Sequence, residues 1–72
     1  MKYAIVIEKG ENSFGAYVPD LPGCVAVSDS REKVLEMIKD AIVFHLEGLV
    51  EAGESIPVAV SEADYIAVPQ LA

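Results

Sequence analysis

Val18-Pro19-Asp20-Leu21-Pro22-Gly23-Cys24 (VPDLPGC) joins one apolar segment to another through two prolines, an aspartate, a glycine and the chain's only cysteine. Pro22 fixes φ at the first central position of a turn and Gly23 permits positive φ at the second, which predicts a type II turn across Leu21–Cys24. The corner therefore separates two short strands. Before it, Ser13–Val18 (SFGAYV) alternates as a strand does; after it, Cys24–Ser28 (CVAVS) reads as a third strand. Further upstream, Lys2–Glu8 (KYAIVIE) is rich in β-formers, and the KGEN that follows predicts a hairpin turn with Gly10 and Asn12 in unusual dihedrals.

Past the third strand the period changes. Val34, Ile38, Ala41, Ile42, His45 and Leu49 recur at helical spacing, with Leu35 and Leu46 at the flank. Ser30 is a good N-cap and Glu32 sits in the first turn, where the helix dipole favours an acid. Lys33 stands where a reciprocal capping box would carry Glu or Gln. Gly53 suits the position just past the helix end, and Pro57 lies beyond it. One amphipathic helix from Arg31 to about Ala52 follows, then a fourth strand at Ala63–Pro69 (ADYIAVP).

Seventy-two residues make a single α+β domain, residues 1–72, of order strand, strand, strand, helix, strand. One helix covers one sheet face. Yet the first strand is apolar on both sides, with Tyr3, Ile5 and Ile7 opposite Ala4 and Val6, and the second sets Phe14, Ala16 and Val18 opposite Tyr17. The uncovered face is expected to meet a second copy or a partner. A chain this short buries only about 60% of its unfolded surface. Having neither a disulfide nor a zinc ligand set, it is expected to gain stability by self-association.

The net charge is −7, from 12 acids against 5 scattered bases. That balance opposes direct nucleic-acid binding and suits a cationic partner. The N-terminal run lacks the apolar core and cleavage site of a signal peptide, and no segment approaches a membrane span, so a soluble cytoplasmic protein is expected.

Little in the chain carries chemistry. Nothing near Cys24 is basic, so a small buried hydrophobe is the simpler reading than a nucleophile. His45 falls inside the apolar stripe and is expected to be a packed imidazole with one hydrogen-bond partner. Asp20 is explained by an Asx-type backbone bond within its own loop. No phosphate loop, Ser/His/Asp set or metal spacing occurs, so neither enzyme nor cofactor is expected. The carboxylates are more informative. Glu32, Glu36, Asp40, Glu47 and Glu51 fall in an arc of about 100° on one helix side. Val43 and Val50 lie within the same arc. A solvated helix face explains the acids; exposed valines among them point instead to a docking surface for a basic protein.

Phe14–Val18, the corner Pro19–Cys24, the helix ending Ala41–Leu49 (AIVFHLEGL) and the trailing Gly53–Pro57 (GESIP) together resemble the HicB-type antitoxin family, over roughly Met1 to Pro57. The resemblance implies a partial RNase H-like β-β-β-α-β fold: a three-stranded antiparallel sheet, one helix, and a further strand beside the first. It also implies an antitoxin that neutralises a HicA-type toxin, a small basic RNA-cleaving protein, by covering its active surface, and that self-associates. RNase H activity does not carry over, because the catalytic carboxylates have no counterparts here. Many relatives add a C-terminal DNA-binding segment; the fifteen residues after Pro57 are acidic or apolar, so operator binding by this chain alone is not expected. Arg31–Val34 (REKV) replaces the family's usual EEA after the cap. Charge and spacing, rather than the resemblance, nominate Glu36, Asp40, Glu47, Glu51 and Asp20 as the partner-binding residues. The competing reading is a stand-alone oligomeric regulator or small-ligand module.

Overall fold

The computed structural model describes residues 1–71. Three strands, β1 (Val6–Lys9), β2 (Phe14–Tyr17) and β3 (Val25–Ser28), form an antiparallel sheet of order β1-β2-β3, and one helix, α1 (Arg31–Glu51), follows. The α+β class and the three-strand-then-helix order are as expected.

The corner is built as two successive turns. Leu21 N–H donates to Val18 C=O at 3.1 Å and Cys24 N–H to Leu21 C=O at 3.1 Å. Each turn has proline at its first central position, where the ring pre-sets φ. Gly23 has φ 83°, as the type II geometry of the second turn requires. Between the two prolines Leu21 is driven inward and is fully buried.

The hairpin differs from expectation. Gly10 and Asn12 do not adopt positive φ; among the described residues only Gly23 and Gly53 do. Four residues separate Lys9 from Phe14, and Gly10 N–H donates to Ser13 C=O at 2.8 Å. A loop of that length closes around an ordinary turn and needs no left-handed residue. β1 also begins at Val6 rather than Lys2. Its partner β2 ends at Tyr17 and the chain turns away at Pro19, leaving earlier residues nothing to pair with.

Register sorts the side chains. Ile7, Ala16 and Ala26 form one row beneath α1, while Val6, Tyr17 and Val25 form a row on the opposite face. Val34 and Ile38 pack on Ala16, Val18, Leu21, Cys24 and Ala26 to make the core. Val25 and Val27 on the far face stay exposed, so one sheet face is left uncovered.

Both ends of α1 are capped. Ser30 accepts Lys33 N–H at 3.1 Å, a cap worth about 1 kcal/mol. At the other end Gly53 (φ 72°) donates to Val50 C=O and Glu54 N–H to Leu49 C=O, closing a Schellman motif. Length decides what lies between. A helix of 21 residues runs about 31 Å, whereas strands of four residues run about 13 Å. The helix therefore overhangs the sheet: Val34 and Ile38 are buried, but Val43, Phe44 and Val50 are exposed.

The fourth strand expected at Ala63–Pro69 is not formed within the chain. After Gly53 the described residues form neither helix nor strand and make no backbone hydrogen bond to β1. Side chains hold this C-terminal segment instead. Tyr3 Oη donates to Pro57 C=O at 2.5 Å, and the Asp20 carboxylate takes Val60 and Ser61.

Candidate partner-binding surface

The overhang of α1 places its last three turns over solvent. Val43, Leu46, Glu47, Val50 and Glu51 line one shallow groove along them. Phe44, 78% exposed, also borders a second cleft with Gly23, Val25 and His45. One apolar surface thus continues from the helix onto the corner. Its acidic margin is set by helical geometry: Glu36, Asp40, Glu47 and Glu51 lie opposite the buried Val34 and Ile38 and are all exposed.

These acids are placed against the interest of the helix. Glu36 and Asp40, and again Glu47 and Glu51, are like charges at i,i+4, a spacing that costs about 0.2–0.5 kcal/mol per pair. Glu51 and Glu47 also crowd the negative end of the helix dipole, and the last turn holds no base. Among the described residues the one ion pair joins Lys33 to Asp29 at 3.5 Å, both well exposed. Among the described residues none of the four nominated carboxylates forms an ion pair, although Lys33 and Lys39 stand at the margin of the arc near Glu36 and Asp40. A cationic surface laid against them relieves both costs.

Asp20, the fifth nominated residue, stands apart. Its Oδ2 accepts the N–H groups of Val60 and Ser61, each at 2.9 Å, and its Oδ1 accepts the Ser61 hydroxyl at 2.8 Å. The Ser61 backbone bond and then its hydroxyl bond, with Val60 adding less, hold the carboxyl below the ordinary aspartate range against a smaller desolvation effect. The Asx bond expected inside the loop is absent; the partners lie forty residues on, where nothing local in the sequence points. A group whose native pKa is depressed contributes fully above its unfolded value and loses that contribution as pH falls through the native one. The clamp should accordingly hold from neutral pH down past the ordinary aspartate range and open only below it. In Asp20→Ala, the Val60 and Ser61 amides should lose hydrogen-exchange protection while the core amides of Ala16 and Ile38 keep theirs. Unchanged protection at Ser61 would remove Asp20 from this role.

Cys24 is buried in the core, and burial pushes its thiol pKa up, away from the thiolate that nucleophilic chemistry needs. His45 is half-buried and makes no protein hydrogen bond among the described residues, so the partner expected for it is not there. No group of three or more His, Cys, Asp and Glu side chains among the described residues is placed to hold a metal, and no described helix is long and apolar enough to cross a membrane. Phe44 was invisible as a site residue in the sequence: it lies about 100° off the buried stripe, and only the overhang leaves it in water.

Comparison with known proteins supplies what geometry does not. A family model described as HicB-like antitoxin of bacterial toxin–antitoxin systems matches residues 3–72. A 14.9 kDa protein from the rep-hol intergenic region of Haemophilus phage HP1 is 37% identical over 70 residues, covering 97% of this chain and 53% of its own. A UPF0150 protein of Archaeoglobus fulgidus is 46% identical over 65 residues, covering 86% of this chain and 94% of its own. The Photorhabdus laumondii protein named antitoxin HicB 1 is 36% identical over 72 residues, covering 96% of this chain and 46% of its own. The chain thus spans about half the length of the phage protein and of the Photorhabdus antitoxin. No solved structure gives a significant match.

Proposed function

This chain belongs to the HicB-like antitoxin family of bacterial toxin–antitoxin systems, and from that premise we propose that it neutralises a HicA-type toxin, a small basic RNA-cleaving protein, by binding rather than catalysis. The observation that carries the reading is the overhanging end of α1, where Glu47 and Glu51 flank exposed Val43, Phe44 and Val50 with no base to balance them. An RNA-cleaving protein must present cations to phosphate. An acidic, apolar-centred face competes for those cations and excludes RNA from them. Glu36 and Asp40 extend the field toward the helix start; Asp20 adds its charge while its oxygens hold the C-terminal segment. No metal or cofactor takes part. The partial RNase H-like topology remains what the family resemblance implies, and a cytoplasmic setting suits a partner that acts on RNA.

Co-expression with the small open reading frames flanking the gene, followed by size exclusion with light scattering, tests this directly. A basic protein of toxin size should co-elute, and the complex should lack the RNA cleavage of the toxin alone. If no flanking basic protein binds, the antitoxin reading fails, and a stand-alone oligomeric module takes its place.

A further inference from the structure

We infer that Gly48 is the point of closest approach between α1 and the toxin, where an arginine-bearing segment of that partner lies on bare helix backbone beside Phe44, Glu47 and Glu51. The inference rests on the toxin reading and names the residue that sets the fit. Gly48 stands inside α1, its C=O accepting Ala52 N–H at 3.0 Å. Glycine there is worse than alanine by about two- to fivefold in the folding equilibrium. Nothing in the fold asks for that cost. Gly48 does not take positive φ; among the described residues only Gly23 and Gly53 do. It is exposed, and a Cβ added to it would meet nothing within 4 Å. A missing side chain that the chain itself does not need leaves room for close approach from outside.

Its position fits that use. Gly48 and Phe44, one turn apart, border both clefts: the groove toward Val43 and Val50, and the cleft against Gly23 and His45. Gly48 is the ground on which the two clefts join. Helical side chains lean toward the N-terminus, so a side chain at position 48 would lie back over the turn that carries Phe44. Glycine keeps that flank of the ring open.

Charge identifies the occupant. At 100° per residue Phe44, Glu51 and Glu47 lie about 40°, 60° and 100° from Gly48, all on the same side. A segment seated on Gly48 therefore meets a phenyl face and two carboxylates together. Arginine suits all three, because its planar guanidinium stacks on an aromatic ring and forks to carboxylate oxygens. A second copy of this chain would bring Glu47 and Glu51 against their own copies, and RNA would bring phosphates. Both are repelled where a basic protein is drawn in.

Stopped-flow binding of the full chain to the basic protein encoded beside its gene, with a thermal melt of each variant, tests the assignment. Gly48→Ala and Gly48→Gln should raise the melting temperature by about 2–8 °C, since both side chains favour a helix and point into open space. Affinity should nevertheless fall by about tenfold in Gly48→Ala and a hundredfold in Gly48→Gln. Faster dissociation should carry the loss, with the association rate and its salt slope unchanged, because bulk is added and charge is not. Phe44→Leu keeps apolar bulk but removes the ring face, and should weaken binding by about fivefold. A parent chain that binds no basic protein would remove the toxin reading and this inference with it. Binding by the parent that is undiminished in Gly48→Gln would remove this inference alone, as would a Gly48→Gln chain that loses affinity and stability together. Unchanged affinity in Phe44→Leu would overturn arginine as the occupant.

Discussion

Leu21→Ala is expected to leave little folded protein at 37 °C. Leu21 is fully buried, held inward by the turns on either side of it, and it meets Val34 and Ile38 across the core. Truncating a buried leucine to alanine costs about 2–5 kcal/mol, part transfer and part cavity. A domain of this size is stable by only about 4–11 kcal/mol at 0.05–0.15 kcal/mol per residue. Among the described residues the core has seven that are buried, so few neighbours can relax into the gap. Urea denaturation at one fixed protein concentration measures the loss without confusing it with dissociation. Phe44→Ala, on the exposed overhang, should move the midpoint hardly at all. Equal midpoints for Leu21→Ala and the parent chain would mean that the corner is not the keystone of this fold.

The second large effect lies in binding. Glu47→Lys/Glu51→Lys changes the net charge from −7 to −3 and turns the end of the α1 face basic. Association with a basic toxin should slow by about tenfold or more at low salt, and its rate should become nearly independent of salt. Folding stability should hold or rise slightly, because lysine in the last turns suits the helix dipole, while the i,i+4 repulsion of the two glutamates is exchanged for a similar one between two lysines. That opposition of signs separates a binding role from a structural one: a merely structural residue loses both together. Stopped-flow association at low and high salt, beside a thermal melt, reads the two quantities. Unchanged rate and salt slope would exclude this face as the contact.

The elements themselves were legible because their determinants are local. Pro22-Gly23 fixes its turn, Ser30 and Gly53 bracket the helix, and the apolar repeat at 34, 38, 41 and 42 names the buried stripe. Each depends on dihedral limits or on side-chain direction, which a few adjacent residues set for themselves. The acidic arc was equally legible, since helical periodicity alone puts Glu36, Asp40, Glu47 and Glu51 on one side. Strand ends were less so. A strand exists only where a partner edge faces it, which is why β1 starts at Val6 and why Ala63–Pro69, strand-like in composition, stays unpaired within the chain.

By itself, then, the sequence determined the corner, the capped helix, the buried Val34 and Ile38 of its apolar stripe and the sign of the surface charge, all consequences of short-range stereochemistry and composition. Only the tertiary structure decided that Asp20 serves the C-terminal segment, that the helix outruns the sheet and leaves Phe44 in water, and that one edge of β1 stands open. Those three facts depend on distances between residues tens of positions apart, and chain separation carries no record of spatial separation until the core has closed.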